Sequence, residues 1–150
     1  MATSESLRKY HYTLSELIDR LTIVQLKETF NPDLREQYAQ EIRDLVNDIQ
    51  LELPKSPYPG INAEFIRDVI VLAQYNTHIW MNEDAERNAN IEENVNWEER
   101  YRKLRLTHSL NNGVRNVAKK KIQSIVGGRV EYKNMTLGQE DCKEWVPSGY

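Results

Sequence analysis

Two stretches of this sequence place amides and charges where a helical repeat calls for apolar side chains. In the first, Ile66, Val69, Ile70 and Ala73 mark out an inward face. Extended at three- and four-residue steps, that face meets Asn76, Trp80, Glu83 or Asp84, and Arg87. In the second, Tyr101, Leu104 and His108 lead to Asn112, Arg115 and Lys119, and the face turns apolar again at Ile122 and Val126. Burying such groups is costly unless they are paired or hold a ligand. Arg87, Arg115 and Lys119 have the chemistry to grip phosphate oxygens. Asn76 and Asn112 can hydrogen-bond a base or a sugar, and Trp80 can supply a stacking wall. Glu16, Asp19, Glu83 and Asp84 offer the opposite chemistry. They can neutralise Lys27, Arg87, Arg115 and Lys119 in a closed ion-pair network that fixes helix register. They are also hard oxygen ligands suited to Mg²⁺ or Mn²⁺.

Other residue types point to less. Cys142 is the only cysteine, so neither an intrachain disulfide nor a cysteine-cluster metal site can form. His11, His78 and His108 lack metal-ligand spacing. No glycine-rich phosphate loop or dinucleotide fingerprint occurs. Lys119-Lys120-Lys121, with Arg115 and Arg129, makes the end of the last helix basic, which complements the helix dipole.

Four helices are expected to position these groups. The first opens at Thr13-Leu14-Ser15-Glu16, which has the form of a capping box, and stops at Asn31-Pro32-Asp33 after Phe30. It has two apolar faces: Leu14, Leu17, Leu21 and Val24 on one side, Ile23, Leu26 and Phe30 on the other. A helix covered twice is central, so its carboxylates are expected between helices. The second carries Leu34, Tyr38, Ile42, Leu45, Ile49 and Leu53 at helical spacing. Residues Pro54 to Gly60 form a stiff connector. The third helix runs from about Asn62 to Asn88, and the fourth from Trp97 to Val126, ending at Gly127-Gly128. Val130-Glu131-Tyr132 suits one short strand. The fold expected is all-α and bundle-like, a helical domain over 1–133 with long third and fourth helices. An irregular tail over 134–150 is expected to dock on a helical surface, more readily on a neighbouring subunit, with Trp145 as an anchor.

With 150 residues, 39% hydrophobic and 29% charged, the chain has the composition of one globular domain. No apolar run is long enough for a membrane span, and Met1 to Glu5 lacks a signal-peptide core, so a cytoplasmic protein is expected. The net charge of −3 conceals an asymmetry. Residues 1–97 hold 9 Lys/Arg against 17 Asp/Glu, a net of −8, and residues 98–150 hold 11 against 6, a net of +5. The two halves are suited to pack against each other, within the fold or between subunits of a homo-oligomer. Neither a membrane nor a nucleic acid is an expected partner.

Three of these motifs together resemble a small uncharacterised all-helical family, found in bacteria beside glycosyltransferase genes and in tailed phages. The likeness lies in Glu16-Leu17-Ile18-Asp19-Arg20-Leu21-Thr22-Ile23 with Lys27 downstream, in Asn76-x-x-x-Trp80-x-x-Glu83-Asp84-x-x-Arg87, and in Asn112-x-x-Arg115-x-x-x-Lys119. Gly127 and Glu131-Tyr132-Lys133 echo the family's ending, so the likeness spans about residues 12–134. Gly113 stands where the family usually has Asp. If that Asp serves as ligand or base, this chain binds without catalysing. The resemblance implies membership rather than activity, and its phage members suggest a small viral protein that sequesters a host nucleotide signal.

Three functions are therefore expected to compete. The first is non-catalytic binding of a small anionic ligand, a nucleotide or nucleotide-sugar, by Asn76, Trp80, Arg87, Asn112, Arg115 and Lys119 with no cofactor. The second is a Mg²⁺-dependent hydrolase or transferase acting on a phosphorylated substrate, with Glu16, Asp19, Glu83 and Asp84 as metal ligands. The third is an assembly protein whose polar stripe is purely structural.

Overall fold

The computed structural model describes residues 10–53, 61–89, 96–129 and 146–150. Among them every regular element is helical. Helix α1 spans Leu14–Phe30, α2 Arg35–Glu52, α3 Ala63–Ala89, α4 Trp97–Leu110 and α5 Asn116–Val126. A 3₁₀ turn, Pro32–Leu34, leads into α2, and a π-helical turn, Asn111–Arg115, joins α4 to α5 without a break. The fourth helix read from the sequence is thus two α-segments around a π turn. The connector after Leu53, the suggested strand at 130–132 and Trp145 lie outside the described residues.

Local chemistry accounts for the helix ends. Thr13 Oγ1 accepts from the Glu16 amide at 3.3 Å, and Glu16 Oε2 accepts from the Thr13 amide at 2.5 Å, so the capping box forms in full. At the far end the Asn31 amide closes on the Lys27 carbonyl. Pro32 follows in the first turn of the next element, where its missing N–H costs nothing. Gly127, at φ +73°, ends α5 in a backbone region that side-chain-bearing residues avoid.

Helix α1 packs against α2, α3 and α5, and α3 also packs against α4 and α5. The main core joins Leu14 and Ile18 of α1, Phe65, Val71, Leu72 and Ile79 of α3, and Leu110, Val114, Ala118 and Ile122. A second cluster, Leu17, Val24 and Leu45, lies between α1 and α2, with Leu21, Tyr38, Ile42 and Ile49 beside it. Helix α1 is therefore central, as its two apolar faces imply, although Phe30 is 49% exposed.

The expected inward faces of the long helices need correction. In α3 the buried line is Phe65, Asp68, Leu72, Asn76 and Ile79, while Ile66 and Ile70 are more than half exposed. In α4 the residues Tyr101 and Leu104 are 63% and 46% exposed, and His108 is exposed too. The inner line runs instead through Leu110, Val114, Ala118 and Ile122. The π turn is the cause in the second case. It accommodates about one residue more than an α-turn, which rotates the following face by about 100° relative to a continuous 3.6-residue repeat. One straight stripe therefore cannot carry both Tyr101 and Lys119 inward.

Residues 146–150 lie against α3 and α5 of the same chain. Tyr150 donates its hydroxyl hydrogen to Asp68 Oδ1, and Lys121 Nζ sits 3.6 Å from the same oxygen and 4.2 Å from the tyrosine ring. Arg67 donates to Ser148 Oγ at 3.1 Å and also stacks on the Tyr150 ring. Burial and the Asp68 carboxylate push the Tyr150 hydroxyl well above its ordinary pKa.

Candidate functional site

The three polar motifs converge on one carboxylate. Asp19 is carried inward by α1, one turn past the capping box, and its side chain is 9% exposed. Arg115 grips it with two donors: Nε reaches Oδ1 at 3.2 Å, and Nη2 bonds Oδ2. Lys119, one turn further along α5, brings Nζ to 3.9 Å from Oδ2. From α3, the Asn76 amide nitrogen donates to Asp19 Oδ1 at 2.9 Å and to Thr22 Oγ1 at 2.8 Å. Thr22 Oγ1 in turn donates to the Asp19 carbonyl. Arg115 Nη1 donates to Asn111 Oδ1 at 2.9 Å. The residues come from α1, α3 and the π turn with α5, and all three are held by the main core around them.

Two recesses open on this cluster. The larger, about 560 Å³, is lined by Tyr12, Glu16, Asp19, Arg20, Glu41, Arg115 and Lys119 with Leu17, Ile23 and Leu45. The smaller, about 200 Å³, lies on the other side, lined by Asn76, Trp80, Glu83, Asn111 and Arg115 with Ile23, Leu26 and Ile79. Arg115 borders both. At the rim of the larger recess Arg20 Nε donates to Glu41 Oε1 at 2.8 Å, joining α1 to α2. Glu16 accepts from Tyr10 Oη at 3.1 Å and from Arg129 Nη2 at 3.2 Å, besides its role in the capping box. The walls thus mix both signs of charge with apolar patches.

Of the residues singled out from the sequence, Asp19, Asn76, Arg115 and Lys119 come together. Trp80 is half-buried in the smaller recess, its ring stacked on Phe30 with centroids 5.3 Å apart. The Asn112 side chain lies outside the described residues. Arg87 does not reach the cluster. It is exposed and borders a separate recess of about 300 Å³ with Asn82, Glu86, Lys103 and Thr107. The physical reason is length: α1 ends at Phe30, opposite Trp80, and α3 runs on for more than two turns with α4 beside it. Glu83 and Asp84 fall on that extension, Glu83 exposed and Asp84 half-buried. The expected inner network of Glu83, Asp84, Arg87 and Arg115 is therefore not formed; the buried pairing is Asp19 with Arg115 and Lys119.

The four acids expected as metal ligands do not assemble either. Among the described residues no three of His, Cys, Asp and Glu gather closely enough to hold a metal ion. Asp19 is engaged by Arg115 and Asn76, and Glu16 by the Thr13 amide and Arg129.

Sequence reasoning missed Thr22, Asn111, Arg20 and Glu41. The first two were detectable: Thr22 stands three residues after Asp19, and Asn111 four before Arg115, the spacings at which helical side chains meet. Arg20 and Glu41 form a long-range pair that no local spacing announces. In comparisons with known proteins, no family model, no curated protein and no solved structure matches this chain.

Proposed function

We propose that this chain binds a small anionic ligand, of the nucleotide or nucleotide-sugar class, at the Asp19–Arg115–Lys119 cluster, without transforming it. The observation that carries the reading is the position of Arg115 at the junction of two recesses. A guanidinium has two hydrogens on each Nη. Arg115 therefore keeps donor capacity beyond its bonds to Asp19 and Asn111. A phosphate at the mouth of the larger recess meets Arg115 and Lys119 as charge-assisted donors. The volume of that recess falls in the range of ordinary ligand pockets. On the smaller side, Asn76, Asn111 and the Trp80 ring suit a polar planar group. A protein of this kind acts by holding its ligand away from other receptors, which fits sequestration of a nucleotide signal.

A second reading rests on a different observation. Both oxygens of Asp19 are engaged, by Asn76, Arg115 and Lys119, so the cluster also works as a clasp that fixes the register of three helices. Thermal melting in the presence of nucleotides, sugar phosphates and nucleotide-sugars, each with and without Mg²⁺, separates the readings. Binding raises the melting temperature with ligand concentration. The reading expects such a rise without added metal, and its loss in Lys119→Met, which keeps the aliphatic stem. No rise with any of these compounds removes the binder and leaves the clasp. A rise that depends on Mg²⁺ moves the assignment to phosphoryl chemistry.

A further inference from the structure

Helix α4 carries a line of large side chains that is largely exposed among the described residues, with Arg100 4.9 Å over the Trp97 ring and Arg105 5.8 Å over the Tyr101 ring. Trp97, Tyr101 and Leu104 are 70%, 63% and 46% exposed, and His108 continues the line. Their steps of four, three and four are those of a coiled-coil seam, with Tyr101 and His108 at a positions and Trp97 and Leu104 at d positions. The side of α4 that packs on α3 adjoins this line: Arg100 pairs with Glu86, Ser109 and Leu110 are buried, and Leu104 borders the recess shared with Glu83, Glu86 and Arg87 of α3. A line of two large aromatics and a leucine at seam spacing matches the composition of interface cores, which favour tyrosine and tryptophan.

The charges beside the seam select what covers it. At the e positions stand Glu98 and Arg105, and at the g positions Arg100 and Thr107. When two identical helices pair antiparallel, e positions face e positions. Glu98 of each copy then meets Arg105 of the other, and symmetry makes the contact twice. When they pair parallel, g faces the following e: Arg105 then faces Arg100, whose charge Glu86 already meets, and the Glu98–Arg105 contact is not made. In the antiparallel arrangement the seam layers set Tyr101 against Leu104, and Trp97 against His108, of the second copy.

We propose that α4 is the surface through which two copies of this chain pair, antiparallel and around a two-fold axis. The seam shares no residue with the Asp19 cluster, so the pairing stands or falls apart from the ligand site. Aromatic side chains bury on the order of 150–250 Å² each. Two per copy, with Leu104 and the arginine stems, bring the contact toward the roughly 1,000 Å² at the low end of specific interfaces. The dimer is accordingly concentration-dependent, and added salt loosens it.

Light scattering coupled to size exclusion, run on the full chain over a dilution series, tests this. The expected mass moves between 17.7 kDa and twice that value as concentration rises. Tyr101→Glu, at an exposed position, holds the chain monomeric while its circular dichroism stays helical. Glu98→Lys and Arg105→Glu each weaken the dimer, and the two together restore it, because the swap rebuilds the pair in reverse. A monomer at every concentration overturns the proposal, as does a dimer that survives Tyr101→Glu. A mass above the dimer, or a double swap that fails to restore pairing, overturns the two-fold antiparallel arrangement. The seam and its arginines could also suit an anionic membrane surface. Sedimentation with phosphatidylserine vesicles that Tyr101→Glu abolishes, without any dimer, assigns the surface to lipid instead.

Discussion

At the scale of single residues, Asp19 decides most. It is a carboxylate almost out of water whose charge is met by Arg115 and Lys119. Removing one member of a buried pair costs more than the pair contributes, because the other is left uncompensated. Arg115→Ala should therefore destabilise the fold by about 3–5 kcal/mol. Arg87→Ala, at an exposed position, should change stability by no more than about 0.5 kcal/mol. Denaturant titration of the two variants checks both; equal effects would mean that Arg115 is not buried against Asp19. Asn76 was legible as a break in a buried line, whereas Arg115 and Lys119 stood out on a repeat that the π turn breaks and lie beside the inner line of Leu110, Val114, Ala118 and Ile122. Arg87 interrupts the same repeat as Asn76 to the eye, but whether an interruption is buried depends on where the neighbouring helix ends. That information resides in the length of α1, not in α3.

At the scale of elements, α1 and α5 are braced at their ends as well as along their faces. The Gln123 side chain accepts from the buried Ser15 amide at 3.1 Å through Oε1 and donates to the Gly127 carbonyl through Nε2. One amide thus serves the first turn of α1 and the last turn of α5, both of which carry orphan backbone groups. Gln123→Leu keeps the volume and removes both bonds. Its expected cost is about 1–3 kcal/mol, the penalty of an unpaired buried amide, read as a lower denaturation midpoint. The helices themselves were legible because caps, prolines and glycines mark their ends. The π turn was not. No residue type signals it, and a repeat of 3.6 carried through Asn111–Arg115 assigns Tyr101 and Leu104 to the wrong side. The α3 face was misread for a simpler reason. Ile66 and Ile70 are as apolar as the buried Phe65 and Leu72, so composition alone does not choose between adjacent stripes.

At the scale of the whole molecule, the last five residues tie the chain's end to α3 and α5. Tyr150 shares Asp68 with Lys121, and its hydroxyl is held above its ordinary pKa near 10. A raised folded value means that the folded state keeps the proton longer than the unfolded chain. The stabilisation is fully present below pH 10 and fades as pH rises through the folded value. Ultraviolet titration should show one phenol that stays protonated after ordinary tyrosines have ionised, and Tyr150→Phe should erase that late step. Its absence in the native protein would mean that the end of the chain is undocked in solution. The charge asymmetry between the two halves pointed to packing of acidic against basic segments. Asp68 with Lys121 and Asp19 with Arg115 are two places where that happens inside one chain.

The stack of Phe30 on Trp80 has one more consequence. Trp80 forms a wall of the smaller recess, and Trp97 is 70% exposed on α4. These two indoles therefore sit in media of different polarity, and their emission is separable by a water-borne quencher such as iodide. Replacing Trp97 and Trp145 with phenylalanine leaves the indole beside Arg115 and Asn76 as a local lamp. Any molecule that enters the recess alters that indole's surroundings directly. The site thus contains its own optical gauge of occupancy, which needs no label and responds whatever the occupant is.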